Sequence, residues 1–300
     1  MKIYSSICEN KNLSLALGYF DGVHKGHQAV IQNAVDFAKR NSVKSAVITF
    51  KDHPCCYFWK VKPQYILSRE ERQKQLEILG VDYLYELDFE DFANLTAEDY
   101  IEQILVKNFK PSAISTGFNH NFGHNKTGNT DYLQQMSKVF NFKYFMSNPI
   151  TYNDELISST NIRNTLSVGD IKKANEMLGF NFPIEGIVVE GQKLGRQIGF
   201  RTANIIYPTE IINLPFGAYK TVVIYNGTKY NAVTNIGIRP TVSSSNNCVI
   251  ETHILDFNKN IYGDKLRIEF IELLRKEQKF DNLNELKFQI QKDIAYCKNT

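Results

Sequence analysis

The sequence predicts an α/β domain built on a parallel sheet, followed by a small antiparallel β-barrel domain with a C-terminal helix. The length of 300 residues suits two domains. In the first part of the chain, short apolar runs alternate with helical patterns, which is typical of β-α-β units and therefore of a parallel sheet. Beyond about residue 182, closely spaced strands follow one another and one helix closes the chain, which favours a barrel.

Capping residues and apolar spacing predict the helices and the domain boundary. A helix over residues 170–178 stops at Gly179, a residue that suits the left-handed end of a helix. We therefore divide the chain into domains 1–180 and 181–300. Residues 28–40 place apolar side chains on one helical face. Two residue pairs have capping-box spacing ahead of a helical pattern, Ser68 with Glu71 and Thr96 with Asp99.

Strands are predicted where short apolar runs are bounded by turn residues. Asn226-Gly227 between two such runs indicates a two-residue hairpin. The predicted strands are Leu13–Leu17, 45–50, Tyr83–Leu87, 113–116, Lys143–Ser147, 184–189, 218–225, 228–234, 249–255 and 266–274. The apolar face of the terminal helix consists of Leu283, Leu286, Ile290 and Ile294.

Composition excludes several classes of protein. Hydrophobic residues make up 43% of the chain and charged residues 22%, as in an ordinary globular protein. The net charge of +3 is too small to favour a nucleic-acid or membrane partner, and no apolar run is long enough to span a bilayer. The five cysteines form no C-x-x-C pair, so a zinc ribbon or a disulfide framework is not indicated. Reduced thiols and the lack of a signal peptide favour a cytoplasmic location.

The first candidate site is the segment GYFDGVHKGH at residues 18–27, which joins the first strand to the first long helix. Ligands of parallel sheets bind at the carboxyl ends of strands, and a helix start offers unpaired N–H groups to phosphate. Glycines allow close approach of the backbone, and His24 and His27 would share a face if the helix begins here. Two other readings remain open, a zinc site that lacks an evident third ligand and a plain polar loop.

The second candidate site is the segment at residues 191–204, which follows the first strand of the second domain. Gly191, Gly195 and Gly199 recur at intervals of four, and such a flap can turn its N–H groups toward phosphate. A long hairpin that happens to contain glycines explains this segment equally well. The spacing is not that of a dinucleotide-binding fold. A Walker-type loop at residues 123–130 is excluded, because Asn129 stands where lysine is required.

Four segments of the first domain resemble one known family in the same order. GYFDGVHKGH resembles the H-x-G-H signature of the nucleotidyltransferase superfamily, in the form found in bacterial bifunctional riboflavin kinase/FAD synthetases. The other three segments are ITFKDHP at 48–54, similar to T-F-x-x-H-P, GFNHNFG at 117–123, similar to G-x-[DN]-x-x-F-G, and ISSTNIR at 157–163, similar to I-S-S-T-x-I-R. The resemblance implies a nucleotidyltransferase-type, Rossmann-like domain that acts as an FMN adenylyltransferase.

The resemblance also implies roles for residues of the first domain. Gly18, Phe20 and Asp21 would line the nucleotide pocket, and His24 and His27 would bind the ATP phosphates. Asn119 would serve the transfer site together with His27 and Arg163, and the triphosphate would be held by Ser159, Thr160 and Arg163. Two hydroxyls and a guanidinium make a reasonable phosphate clamp. A capped helix start with an exposed arginine explains the last segment equally well.

Segments of the second domain resemble the riboflavin kinase of the same family. The family's P-T-A-N motif corresponds to RTAN at 201–204, and N-I-G-x-R-P-T to residues 235–241. Arg201 replaces the usual proline and would leave this loop freer. The resemblance implies these roles: Gly195 and Arg196 near the ATP phosphates, Thr202 and Asn204 as Mg²⁺ ligands, Glu251 as general base, and Arg275 at the flavin.

The function that the resemblance implies is bifunctional. The barrel would phosphorylate riboflavin with ATP to give FMN and ADP, and the first domain would transfer AMP from ATP to FMN, giving FAD and pyrophosphate. Mg²⁺ is the expected metal and ATP the co-substrate, with no nucleic-acid or membrane partner. Three alternatives stay open: a barrel that serves only as a flavin-docking or regulatory module, a non-catalytic flavin sensor, and a nucleotidyltransferase with another acceptor. The sequence leaves the oligomeric state open.

Overall fold

The computed structural model describes residues 1–8, 10–60, 62–191, 199–238 and 248–299. The chain forms two compact units, Met1–Ser159 and Thr160–Thr300. The predicted boundary after residue 180 differs from this division by the two helices α6 (Ser159–Ser167) and α7 (Ile171–Leu178). Helix α7 packs against strands of the second unit. The domain limits 1–180 and 181–300 stay a prediction.

The first unit is built on a six-stranded parallel sheet in the order β1-β4-β3-β2-β5-β6. Its strands are β1 (Lys2–Tyr4), β2 (Leu13–Leu17), β3 (Lys44–Phe50), β4 (Tyr83–Leu87), β5 (Ala113–Gly117) and β6 (Lys143–Ser147). The chain runs outward in one direction from β2 to β3 and β4, and in the other direction through β5 and β6. The strand order therefore reverses between β2 and β5, and the carboxyl ends of those strands form the switch point at which parallel sheets bind ligands.

Helix α1 (Lys25–Asn41) packs on this sheet through the face predicted from sequence, which consists of Val30, Ile31, Ala34, Val35 and Ala38. Both predicted N-caps are present, since the Ser68 and Thr96 side chains accept hydrogen bonds from the backbone N–H groups of Glu71 and Asp99. The other helices are α2 (Pro54–Trp59), α3 (Arg69–Ile78), α4 (Ala97–Asp99), which continues as a π-helix over Tyr100–Phe109, and α5 (Thr130–Val139). A short hairpin of β7 (Thr151–Tyr152) and β8 (Glu155–Leu156) precedes α6.

The second unit contains a six-stranded antiparallel sheet in the order β10-β13-β12-β11-β14-β9. Its elements are β9 (Phe182–Ile187), β10 (Ala203–Ile206), β11 (Gly217–Tyr225), β12 (Thr228–Ile238), β13 (Cys248–Ile254), β14 (Lys265–Lys276) and the terminal helix α8 (Leu283–Asn299). A backbone bridge between Val189 and Asn204 joins the two edges, so the sheet is a nearly closed barrel. The predicted fold class is confirmed.

The predicted hairpin at Asn226-Gly227 is confirmed, because both residues have positive φ, of 48° and 77°, as a type I′ turn requires. The predicted apolar face of α8 is partly wrong. Leu283 is 66% exposed, whereas Asp293 and Cys297 of the same helix are buried. The buried Asp293 accepts a hydrogen bond from an arginine of β14, whereas Leu283 is the first residue of the helix.

Candidate nucleotide and phosphate sites

The turn between β2 and α1, residues 18–24, has an unusual backbone, and we call it the nucleotide turn. Phe20 and Val23 have φ values of 59° and 39°, a region that side chains with a Cβ seldom adopt and that is an outlier for a β-branched residue. A Cβ on Gly18 would lie 2.9 Å from the Phe20 ring, so that position has room only for glycine. This turn lies at the switch point of the sheet, where the sequence predicted a ligand.

Hydrogen bonds hold this turn from several sides. The Tyr19 carbonyl accepts a bond from Thr49 Oγ1 at 2.9 Å. The Asp21 carboxylate accepts the backbone N–H of Ile66 at 3.1 and 3.3 Å, and the Asp21 carbonyl accepts the hydroxyl of Ser159 at 2.9 Å. Asp21 is buried, and the bonds of its carboxylate to Ile66 hold the turn in place.

His24 and His27 lie together at the start of α1. His24 is the N-cap, and its Nδ1 accepts the backbone N–H of His27 at 3.3 Å. The two rings are stacked with centroids 3.6 Å apart, and the edge of the Phe20 ring meets His27 with centroids 5.3 Å apart. The helix thus begins where the sequence required it for the two imidazoles to share a face.

Both imidazoles are neutral near pH 7. Burial lowers the pKa of His24 to about 4. Burial, and to a smaller extent the neighbouring His24, lowers the pKa of His27 well below its usual value. A neutral imidazole has one N–H donor, so the pair can donate hydrogen bonds to phosphate without a full charge. Within the described residues no group of three or more histidine, cysteine, aspartate or glutamate side chains could hold a metal ion, so nothing found there supports the zinc reading.

The remaining predicted residues of the first site lie on two segments. Asn119 is exposed just after β5, the strand on the other side of the switch point, and its carbonyl accepts the Asn121 side-chain amide at 2.9 Å. Ser159 opens α6 as the last residue of the first unit, while Thr160 and Arg163 follow on the same helix within the second unit. The catalytic and binding roles of these residues stay predictions.

Exposed aromatic side chains cluster on α2, a feature that the sequence reasoning missed. Phe58 is 60% and Trp59 74% exposed, and Tyr57 and Phe58 each meet Phe89 edge-to-face. His53 caps α2, and its ring lies 4.7 Å from that of Tyr19 in the nucleotide turn. Three consecutive aromatic residues directly after a helix cap were the available signal. We call Tyr57, Phe58 and Trp59 the α2 aromatic cluster.

In the barrel, strand register brings three predicted kinase residues into one row. Asn204 of β10 is paired with Glu251 of β13, which is paired with Asn235 of β12. Ala218 of β11 continues the row from Asn235 to Arg275 of β14. Directly opposite residues share a face of the sheet, so Asn204 and Glu251 are side by side, with their Cβ atoms about 5 Å apart.

The neighbouring positions on β13 face the barrel interior. The Thr252 hydroxyl is hydrogen-bonded to Thr234 at 3.0 Å, and Thr234 to Thr221 at 2.7 Å, and all three side chains are fully buried. Side chains alternate along a strand, so Glu251 lies on the opposite, half-buried face. The carboxylate is therefore accessible to a ligand on the outside of the barrel wall.

Asn204 has the features of a ligand for a hard cation. It is 4% exposed, and its Oδ1 has no hydrogen-bond partner among the described residues. The Asn204 amide nitrogen lies 3.5 Å from Thr202 Oγ1, so the two predicted metal ligands are adjacent. A Cβ on Gly191 would come within 2.5 to 2.8 Å of three Asn204 side-chain atoms. The buried amide oxygen of Asn204 and the hydroxyl of Thr202 fit Mg²⁺, which prefers oxygen ligands.

The loop at Arg201 is tied on both sides, although arginine replaces proline there. The Arg201 guanidinium donates a hydrogen bond to the Asn258 side chain at 2.6 Å, and the Arg201 carbonyl lies 2.7 Å from His253 Nδ1. These bonds offset the freedom that loss of the proline ring would give to Thr202. The predicted phosphate-binding residues Gly195 and Arg196 lie outside the described residues.

Arg275 is held against the terminal helix. Its Nε donates to Asp293 Oδ2 at 3.0 Å, and its guanidinium lies 5.5 Å from the ring centroid of Phe280. The charge is thus neutralised within the barrel unit, while the planar group stays available for stacking. A flavin contact at Arg275 stays a prediction.

Comparisons with known proteins match two parts of the chain to separate family models. The family model described as FAD synthetase matches residues 6–161, and the one described as riboflavin kinase matches residues 178–300. A bifunctional riboflavin kinase/FMN adenylyltransferase of Bacillus subtilis is 37% identical over 95% of this chain and 92% of its own length. The chain belongs to the family of bifunctional riboflavin kinase/FMN adenylyltransferases. Another member, from Haemophilus influenzae, is 36% identical over 95% of this chain and 93% of its own length.

A solved structure confirms the fold of this family member over its whole length. A crystal structure described as a macrolide-efflux protein from Streptococcus pneumoniae superposes with a TM-score of 0.91, at 30% identity and with 100% of each chain covered. The name of that structure refers to efflux, and we assign no such activity to this chain. Among the residues that the structure describes here, no helix is both long and apolar enough to cross a membrane.

We expect the His24 ring of the ligand-free protein to stay neutral down to about pH 4. Its folded pKa lies below the ordinary value of 6.5, so the unfolded chain gains this proton first as the pH falls, and stability is lost between about pH 6.5 and pH 4. An NMR titration of the ring resonances, assigned with His24→Asn, measures the midpoint. A midpoint near 6.5 would contradict the buried, stacked arrangement.

Proposed function

We propose that this chain makes FMN from riboflavin and then FAD from FMN, using ATP in both steps. The family supports both activities, and the turn with the two histidines and the row with Glu251 lie in different units. The observation that carries the two-activity proposal is the pairing of Glu251 with Asn204, whose buried Oδ1 lacks a partner among the described residues. A barrel that only docked flavin would have no need for that juxtaposition.

The adenylyl transfer requires alignment more than side-chain chemistry. A phosphate oxygen of FMN attacks the α-phosphorus of ATP, the bond from that phosphorus to the bridging oxygen breaks, and pyrophosphate leaves. The positive end of the α1 dipole and the N–H donors of His24 and His27 would stabilise the charge that develops on the phosphates. The glycines of the turn allow the backbone to approach them.

The kinase step requires a base. Glu251 would take the proton of the terminal ribityl hydroxyl as its oxygen attacks the γ-phosphorus of ATP, and ADP leaves. A positioned carboxylate contributes about 10²–10⁴-fold in such a step. Thr202 and Asn204 would hold Mg²⁺, which neutralises phosphate charge in reactions of this type.

The α2 aromatic cluster offers a surface for the flavin ring during adenylyl transfer. Aromatic planes stack favourably, and the exposed faces of Phe58 and Trp59 are not covered by other parts of the described first unit. The cluster begins at the His53 cap beside Tyr19, and its six-residue helix extends about 9 Å from there.

The proposed location of the enzyme is the cytoplasm. Its five cysteines are all free thiols, which persist in a reducing compartment. Its proposed partners are the small molecules of the two reactions: riboflavin, FMN, FAD, ATP, ADP and pyrophosphate.

Purified protein with riboflavin, ATP and Mg²⁺ is expected to yield FMN and then FAD, followed by chromatography. Glu251→Gln removes the base and is expected to lower FMN formation by at least about 10²-fold while FAD formation from added FMN continues. Glu210→Gln, an exposed acid of the same unit, serves as the matched control and should leave both rates unchanged. Wild-type protein that makes FAD from FMN but no FMN from riboflavin would show the barrel to be a docking module.

Gly191→Ala is expected to impair the kinase without removing any predicted ligand. The added methyl group would displace the Asn204 amide, and a misplacement of about 1 Å costs on the order of 10²-fold in rate. Kinase rates at rising Mg²⁺ concentration provide the measurement. Gly227→Ala in the exposed hairpin turn meets no atom within 4 Å and should cost stability alone. Equal kinase rates for Gly191→Ala and wild type would refute the placement of Asn204.

FMN is expected to quench the fluorescence of Trp59, the single tryptophan of the chain, in a saturable manner. The quenching follows from stacking on the α2 aromatic cluster, so Phe58→Ala should raise the FMN concentration at half-saturation. That shift should match a rise in the KM for FMN in FAD synthesis, while the kinase KM for riboflavin stays constant. Quenching that is identical in Phe58→Ala and wild type would place the flavin elsewhere.

A further inference from the structure

The Arg72 side chain is 4% exposed and lies beneath the nucleotide turn. It belongs to the first turn of α3, and its guanidinium lies 4.8 Å from the ring centroid of Tyr19. No motif assigned it a function. A buried guanidinium is costly unless its donors and its charge are satisfied, so its contacts show what it does in the fold.

Arg72 joins the ends of two neighbouring strands through their backbone. Its NH1 donates to the Tyr19 carbonyl at 3.2 Å, just beyond β2. Its NH2 donates to the Phe50 carbonyl at 3.1 Å, at the last residue of β3. The Tyr19 carbonyl also accepts a hydrogen bond from the Thr49 hydroxyl, so Arg72 and Thr49 together occupy both lone pairs of this carbonyl oxygen.

Glu86 of β4 holds the guanidinium in place. Its side chain is fully buried, and Oε1 accepts Arg72 NH2 at 2.9 Å. Oε2 accepts Arg69 Nε at 3.0 Å and the Gln73 amide at 2.6 Å. Burial alone would raise the pKa of Glu86, but the bonds from Arg69, Arg72 and Gln73 together outweigh it and hold the pKa below its usual range. The carboxylate thus stays charged and keeps Arg72 beneath the turn.

The nucleotide turn needs such support because of its own backbone. Phe20 and Val23 are held in left-handed conformations, and such conformations persist only where the surroundings over-determine them. The fork of an arginine can bond two carbonyls and a carboxylate in one plane, which an ammonium group cannot do with the same geometry.

We propose that Arg72, held by Glu86, is a positioning residue for adenylyl transfer: it fixes the Tyr19 carbonyl and thereby the turn that presents Gly18, Phe20 and the histidine pair to ATP. This inference rests on the proposed adenylyl transfer. It predicts that the residue acts on the nucleotide step of the first unit and leaves riboflavin phosphorylation unchanged.

Arg72→Met is expected to lower kcat/KM for ATP in the conversion of FMN to FAD by about 10- to 100-fold. Arg69→Met is the matched control, because Arg69 pairs with the same carboxylate but neither the Tyr19 nor the Phe50 carbonyl accepts a bond from it. It should stay within about twofold of wild type, as expected for a half-exposed pair. Arg72→Lys keeps the charge and should fall between the two.

Hydrogen exchange of the full chain gives a readout that does not depend on activity. Peptides covering residues 17–24 contain the amides of Gly18 and Val23, which are bonded to the carbonyls of Ile48 and Phe20. These amides should exchange faster in Arg72→Met and Arg72→Lys than in wild type. Arg69→Met should match wild type.

The outcomes separate this inference from the proposed function. Wild-type protein that makes no FAD from FMN overturns the proposed transfer, while the exchange experiment still decides whether Arg72 holds the turn. Unchanged exchange and unchanged kcat/KM in the arginine variants overturn the inference. An equal loss in Arg69→Met also overturns it, because the effect would then come from the ion network as a whole. If Arg72→Met does not fold, Arg72→Lys decides by the same two readouts.

Discussion

The buried carboxylate of Glu86 is a charge that the parallel-sheet unit must neutralise, and the way it does so organises the nucleotide end of the sheet. The charge draws α3 onto β4, and Arg72 from that helix then reaches the carbonyls that end β2 and β3. Three adjacent strands are thereby tied together at their carboxyl ends. The fold can hold a strained turn there because its neighbours are fixed first.

The two units offer different chemical groups to the ligands proposed for them. The first offers backbone N–H groups, glycine and neutral imidazoles, which suit a phosphate chain that must be aligned. The second offers a row of oxygen-bearing side chains across paired strands, with Asn204 beside Glu251, which suits a metal and a proton transfer. Neither arrangement needs a net positive charge on the whole protein, in agreement with the value of +3.

Much of the fold could be predicted from the sequence, because its signals are local. The strand Leu13–Leu17 and the buried face of α1 follow from periodicity, and the Asn-Gly hairpin follows from φ preferences. The four-residue β10 gave too short a pattern to be recognised. Leu283 was misplaced because it is the first residue of the terminal helix, and periodicity does not show at which turn the packing of a helix begins.

The candidate sites could be predicted only where motifs carry them. His24, Thr202 and Glu251 lie in segments that resemble a family, and the structure brings Thr202 and Glu251 each beside Asn204. Arg72 acts through backbone carbonyls 53 and 22 positions away. Every residue has a carbonyl, so the residue type at those positions does not reveal such a contact. The three aromatic residues of the α2 aromatic cluster are evident in the sequence, but their exposure depends on how α2 packs on the rest of the unit.

Strand β13 carries two incompatible environments at consecutive positions. Glu251 lies half-buried on the outer face of the wall, while Thr252 is fully buried among hydroxyls within it. Inserting or deleting a single residue upstream in this strand would exchange the two, burying the acid and removing the proposed base in one event. The length of β13 is therefore constrained independently of which side chains occupy it.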